Sequence, residues 1–167
     1  MKKCMLLVIG ISVTMPCAAG EVLLSWSDPS RFSDIEPGPG TTKATLASVQ
    51  NAFTNAFKQS AAALPQGYTF TADITNVDLA GIVNPPQVVN PNLISTRVMT
   101  ANYFPALTLS YTLIDADGKV QVAGENVTIT DMDYLSRTNS AVSSTPFYYE
   151  DRMIRNWFNR AIVSAVK

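Results

Sequence analysis

The chain contains no histidine, and both of its cysteines, Cys4 and Cys17, fall within its first twenty residues. Histidine is the side chain that titrates near neutral pH, and the cysteine thiolate is a strong nucleophile and a common zinc ligand. Their scarcity thins the repertoire for catalysis and transition-metal binding. The residues around the cysteines read as a signal peptide. Lys2 and Lys3 form a positive start, Met5 to Val13 is apolar apart from Gly10 and Ser12, and Pro16 leads into the small residues Ala18-Ala19-Gly20. Cleavage near Ala19 or Gly20 starts the mature chain close to Glu21, without a thiol. The apolar core is about half the roughly 20 residues that a spanning helix needs, which argues against an uncleaved anchor. Cys17 follows Thr14-Met15-Pro16, a poor fit to a lipoprotein signal, and Cys4 comes too early for one. The expected location is the periplasm, with no membrane span after cleavage.

An excess of positive charge is missing too. Beyond the signal, thirteen acidic residues face ten basic ones, for a net charge of −3. That gives no electrostatic footprint for DNA or RNA. Internal repeats and low-complexity tracts are absent. With residues 1–20 removed, residues 21–167 form one domain of ordinary size, long enough to bury a core. Having no disulfide, it must be stabilised by packing.

The element pattern is legible along most of the chain. Glu21 to Trp26 is a short strand, broken at Asp28-Pro29. From Thr42 to Leu64, the positions Leu46, Val49, Phe53, Phe57 and Leu64 recur at helical spacing, capped by Thr41 or Thr42 and ended by Pro65 and Gly67. Tyr68, Phe70, Ala72 and Ile74 alternate with polar residues, and the parity switches at Val77 and Leu79, which predicts a bulge near Asn76. Leu107, Leu109, Tyr111 and Leu113 form the clearest amphipathic strand. Asp115 to Gly118 is a hairpin turn, and Gly124-Glu125 marks a second bulge in the strand that follows. Thr145 as cap and Pro146 at the first position open a final helix with an apolar stripe from Met153 to Ala165. The expected fold is α+β, in β-α-β-β-β-α order. Two amphipathic helices would pack on one face of a four-stranded, mostly antiparallel sheet.

Several short motifs lie on this framework: Trp26-x-Asp28-Pro29-x-x-Phe32-x-Asp34-Ile35, Val77-Asp78-Leu79-Ala80-Gly81, and Asp115-Ala116-Asp117-Gly118-Lys119-Val120. Gly124-Glu125, Asp131-Met132-Asp133-Tyr134-Leu135 and Tyr149-Glu150-x-x-Met153-Ile154-x-x-Trp157-Phe158 follow. In order and coverage they resemble the exported bacterial family catalogued as domain of unknown function 3016. The resemblance implies export and no assigned activity.

Chemistry has few places to sit. Asp115 and Asp117 begin like a calcium loop but lack its later ligands, and Asp and Gly are what a tight hairpin requires in any case. No cofactor is implied. Asn126-Val127-Thr128 matches a glycosylation acceptor but lies inside a strand. Trp26 and Trp157 read as core packing, and Arg152, Arg155 and Arg160 as the solvated face of the last helix. Hairpin topology brings the loop from Gly81 to Asn102 beside the loop from Asp131 to Ser144, and long connections are often functional. Asp78, Arg97, Asp131, Asp133, Tyr134 and Arg137 then gather at one rim. Three uses of that rim stay open: ion pairs that pin the loops, with Asp78 accepting backbone N–H groups; ligand recognition; and acid–base work by a carboxylate pair. The composition favours a small binding or assembly module of the bacterial cell envelope, with an envelope protein or small ligand as partner. A hydrolase of envelope carbohydrate acting through Asp131 and Asp133 is the alternative, and a calcium-binding protein with oxygen ligands is a third reading.

Overall fold

The computed structural model of the chain describes residues 20–35, 43–84, 96–136 and 146–167. The expected signal peptide, apart from Gly20, and the expected caps at Thr41, Thr42 and Thr145 lie outside the described residues. Strand β1 (Glu21–Trp26) leads through a single 3-10 turn to helix α1 (Lys43–Ala61). Then come β2 (Thr69–Asp78), two three-residue strands, β3 (Ile82–Asn84) and β4 (Thr96–Val98), and the long hairpin of β5 (Ala106–Ile114) and β6 (Val120–Thr130). Helix α2 (Tyr148–Ala161) and a 3-10 turn at Val163–Ala165 complete the chain.

The main sheet has the order β1-β2-β5-β6. Two of its three pairings, β2–β5 and β5–β6, are antiparallel, in keeping with the expected mostly antiparallel sheet, and the edge pair makes it mixed, since β1 runs parallel to β2. A parallel pair needs a crossover connection, and α1 supplies it. A correction concerns residues 81–102, read from the sequence as loop. There β3 and β4 pair antiparallel, with Val83 opposite Arg97. Three residues per strand are too few to display an alternation.

One side of the sheet carries the core. Phe70, Ala72 and Ile74 of β2 and Leu107, Leu109 and Leu113 of β5 are buried, in one cluster with Val49, Phe53 and Phe57 of α1 and Met153, Ile154 and Phe158 of α2. Phe70 sits at its centre, with ring centroids 4.9 Å from Phe158 and 5.7 Å from Phe57. Trp157 stands edge-on to Tyr111 at 5.1 Å, and Trp26 lies 6.1 Å from Phe53. Both tryptophans are thus packing residues. The alternate positions are hydrophilic: Ser25 and Ser27 donate to the Asp73 carboxylate at 2.8 and 2.6 Å, and Thr108 and Thr128 bond across β5 and β6 at 3.0 Å.

Both expected bulges are present. The β2–β5 register shifts between Ile74 and Asn76, returning Val77 and Leu79 to the buried side. The β5–β6 register shifts opposite Ser110, where Asn126 adopts φ 49 and its N–H donates to the Ser110 hydroxyl at 3.1 Å. The Asp115 hairpin closes with Gly118 at φ 78. The start of α2 differs from expectation: Phe147, not Thr145, is its cap residue, in a left-handed conformation at φ 59. Its ring packs against the core, and that contact compensates the unfavourable backbone.

Gly124 tests the β6 bulge. A Cβ there would come within 2.7 Å of Tyr111 Cε1 and 2.9 Å of Val127 Cγ2. Gly124→Ala must therefore displace a ring wedged against Trp157. The expected cost is about 1–3 kcal/mol of unfolding free energy by denaturant titration.

Candidate functional site

The rim is built at the end of β2, where the chain must leave a buried sheet and every backbone polar group of the turn needs a partner. Gly81 turns with φ 81, a value that glycine reaches without strain. Around this turn, the Leu79 N–H donates to Asp34 Oδ2 at 3.2 Å, the Ala80 N–H to Glu150 Oε1 at 2.7 Å, and the Gly81 N–H to the Tyr103 carbonyl at 2.8 Å. Arg97 satisfies the carbonyls. Its Nη1 pairs with Asp34 at 2.6 Å and also reaches the Ala80 and Gly81 oxygens at 3.2 and 3.0 Å.

Asp34, not Asp78, is therefore the carboxylate that pins the turn. Asp78 is exposed beside it, and partial burial and the Asp34 charge push its carboxyl above the ordinary range, with Arg97 acting the other way. Glu150 is 4% exposed. Its burial pushes its carboxyl up, against the lowering influence of the Ala80 N–H and Arg97.

A second anchorage holds the residues after β6. Arg152 pairs with Asp131 Oδ2 at 2.7 Å and donates to the Tyr134 carbonyl at 2.8 Å. Its guanidinium lies 5.7 and 5.8 Å from the Tyr148 and Tyr149 ring centroids. Arg152 is thus a loop clamp and not part of a solvated face; α2 carries it on the side turned toward the 131–134 turn. Tyr134 is fully buried, edge-on to Tyr149 at 4.8 Å, and its hydroxyl donates to the Thr100 carbonyl at 2.7 Å. Burial pushes its phenol above the usual range. Tyr134 therefore plugs the junction of the two loops and is not open to a ligand. Arg137 lies outside the described residues.

Beside this anchorage is an open cleft of about 510 Å³ between residues 130–133 and α2. Asp131 and Asp133 line one side, and Asn156, Asn159 and Arg160 the other, with Met153 between them. Among the described residues, the side chains of Asp133, Asn156 and Asn159 have no hydrogen-bonding partner. Arg160 Nε is held by the Asn156 carbonyl at 3.1 Å. The cleft can therefore offer amide donors and acceptors, one carboxylate and a guanidinium. Of the two carboxylates there, Asp131 is ion-paired with Arg152 at 2.7 Å. Among the described residues, no group of three or more potential ligands could hold a metal ion.

The sequence left Asp34, Glu150, Arg152, Asn156 and Asn159 off the rim. Asp34 and Glu150 did stand inside the quoted motifs, as charges flanked by core residues. The spacing of 152, 156, 159 and 160 puts one polar stripe on α2.

The chain matches the sequence profile of the family described as "Protein of unknown function (DUF3016)" over residues 20–160, and it belongs to that family. Among solved structures it is similar to the PelC dodecamer from Paraburkholderia phytofirmans, at 12% identity and TM-score 0.33, over 86% of this chain and 89% of that one. A single-residue variant of that dodecamer matches at 14% identity and TM-score 0.26, over 84% and 91%. At those TM-scores neither likeness supports a conclusion about this chain. No curated protein matches it.

The Glu150 contact makes stability depend on pH. A carboxyl raised in the folded state favours the fold when protonated; that contribution is complete below the unfolded pKa and is lost as pH rises through the folded value. Asp78 acts with the same sign. Glu150→Gln keeps an acceptor for the Ala80 N–H and is expected to flatten part of the decline in stability as pH rises above 4.5, read by urea unfolding. Glu150→Leu leaves that N–H unpaired and is expected to cost about 1–3 kcal/mol.

Proposed function

We propose that this protein is a small exported module of the bacterial cell envelope that binds an envelope protein or small ligand without transforming it. The carrying observation is the cleft beside α2, where Asp133, Asn156 and Asn159 present unpartnered polar groups on a framework fixed by Arg152. Asn156 and Asn159 are held on a packed helix, whose backbone loses little freedom on binding. The leader-like residues 1–20 support the exported location. The closed ion-pair networks at Asp34–Arg97 and Asp131–Arg152 favour binding over turnover, since they consume the charged groups that a hydrolase would use.

Site-specific photocrosslinking in the source cell tests this reading. A benzoylphenylalanine at Asn156 is expected to form a discrete adduct in the envelope fraction, on a chain whose N-terminus lies near Glu21. The same probe at Thr112, on the hydrophilic side of the sheet, is expected to form none. Equal labelling from both positions, or an uncleaved chain confined to the cytoplasm, would refute it.

A further inference from the structure

We infer that the cleft between residues 130–133 and α2 recognises a neutral, hydroxyl-rich glycan segment, an inference that rests on the binding reading above. The first reason is charge. Asp131 is matched by Arg152 at 2.7 Å, and Asp133 and Arg160 balance each other within the same cleft. No surplus of either sign is left to attract a polyanion or a polycation, and exposed charges more than a Debye length away are screened.

The second reason is the kind of hydrogen bond on offer. A sugar hydroxyl both donates and accepts, and so does a carboxamide. Asn156 and Asn159 lie three residues apart on α2, adjacent on one helical face, with Arg160 beside them. Asp133 adds an acceptor and Arg160 a planar donor fork, a set that suits neighbouring hydroxyls and an acetamido group.

Apolar contact supplies the third reason. The C–H face of a sugar ring needs an apolar surface, and two methionines meet the cleft: Met153, which is buried, and Met132, which is 65% exposed. Thioether side chains adapt to irregular apolar surfaces. The volume of about 510 Å³ also lies inside the usual range for small-ligand sites.

Titration of the purified protein by heteronuclear NMR decides the matter. The probes are the N-acetylglucosamine tetramer and maltotetraose as neutral glycans, the glucosamine tetramer as a cationic counterpart, and a galacturonate tetramer as an anionic one. At least one neutral probe is expected to shift the amides of Asp133, Asn156 and Asn159 in a saturable way, and both charged probes to bind at least about tenfold more weakly. The double variant Asn156→Ala, Asn159→Ala is expected to weaken the neutral probe about tenfold or more, with an unchanged denaturation midpoint because both residues are exposed. Tighter binding of a charged probe, or shifts confined to another face, would overturn the inference. If both neutral probes leave the spectrum unchanged at millimolar concentration while the Asn156 crosslinker captures a protein, the glycan assignment falls and the binding reading stands. If neither experiment gives a signal, both fall.

Discussion

The turn at Leu79–Gly81 sets the terms for this end of the protein. A strand that leaves a sheet beside two packed clusters exposes backbone N–H and C=O groups where little water can reach them, and each unpaired group costs about 1–3 kcal/mol. Asp34, Arg97 and Glu150 supply the missing partners from three distant parts of the chain. One turn thereby ties the end of β1's excursion, the β3–β4 pair and the first turn of α2 to the sheet. Burial is the main reason why Glu150 and Asp78 are both raised, with the Asp34 charge adding to it and Arg97 opposing it. Desolvated carboxyls at this corner are the counterpart of backbone satisfaction.

Much of the fold was legible because its signals are periodic. The switch of parity at Val77 and the glycine at 124 each announce a bulge, and the structure places register shifts at both. The parallel β1–β2 pairing was less legible. A six-residue edge strand carries no mark of its direction, and only the helical length of α1 between the two strands hints at a crossover. The start of α2 also escaped the residue rules. Phe147 begins α2 in a left-handed conformation because core packing of its ring outweighs local preference, a tertiary override that no cap motif records.

The site divided along a similar line. Topology placed the 81–102 loop beside the 131–144 loop, and their described residues meet at the Tyr134 hydroxyl and the Thr100 carbonyl. What chain order could not convey is which charge pairs with which. Asp78 and Asp34 are near neighbours around Arg97, yet strand parity turns Asp78 outward while Asp34 takes both the guanidinium and the Leu79 N–H. Arg152 looked like surface because alternate helix positions are usually solvated. It became a clamp because the 131–134 turn passes over that part of α2.

Helix α2 joins the two ends of the argument. Its first turn places Glu150 into the buried corner, its second places Arg152 against Asp131 and the Tyr134 carbonyl, and the next two turns present Asn156, Asn159 and Arg160 to the cleft. The opposite stripe of the helix, Met153, Ile154 and Phe158, is locked in the core against Phe70. A ligand in the cleft would thus meet groups whose helix is fixed on one side by packing and at its start by charge-assisted hydrogen bonds. Such preorganisation suits recognition, where binding energy is lost if the receptor must first be ordered. Pinning the loops and presenting uncharged polar groups beside them are one solution to one constraint, with the charged residues fixing the framework and the amides of Asn156 and Asn159 lining the cleft.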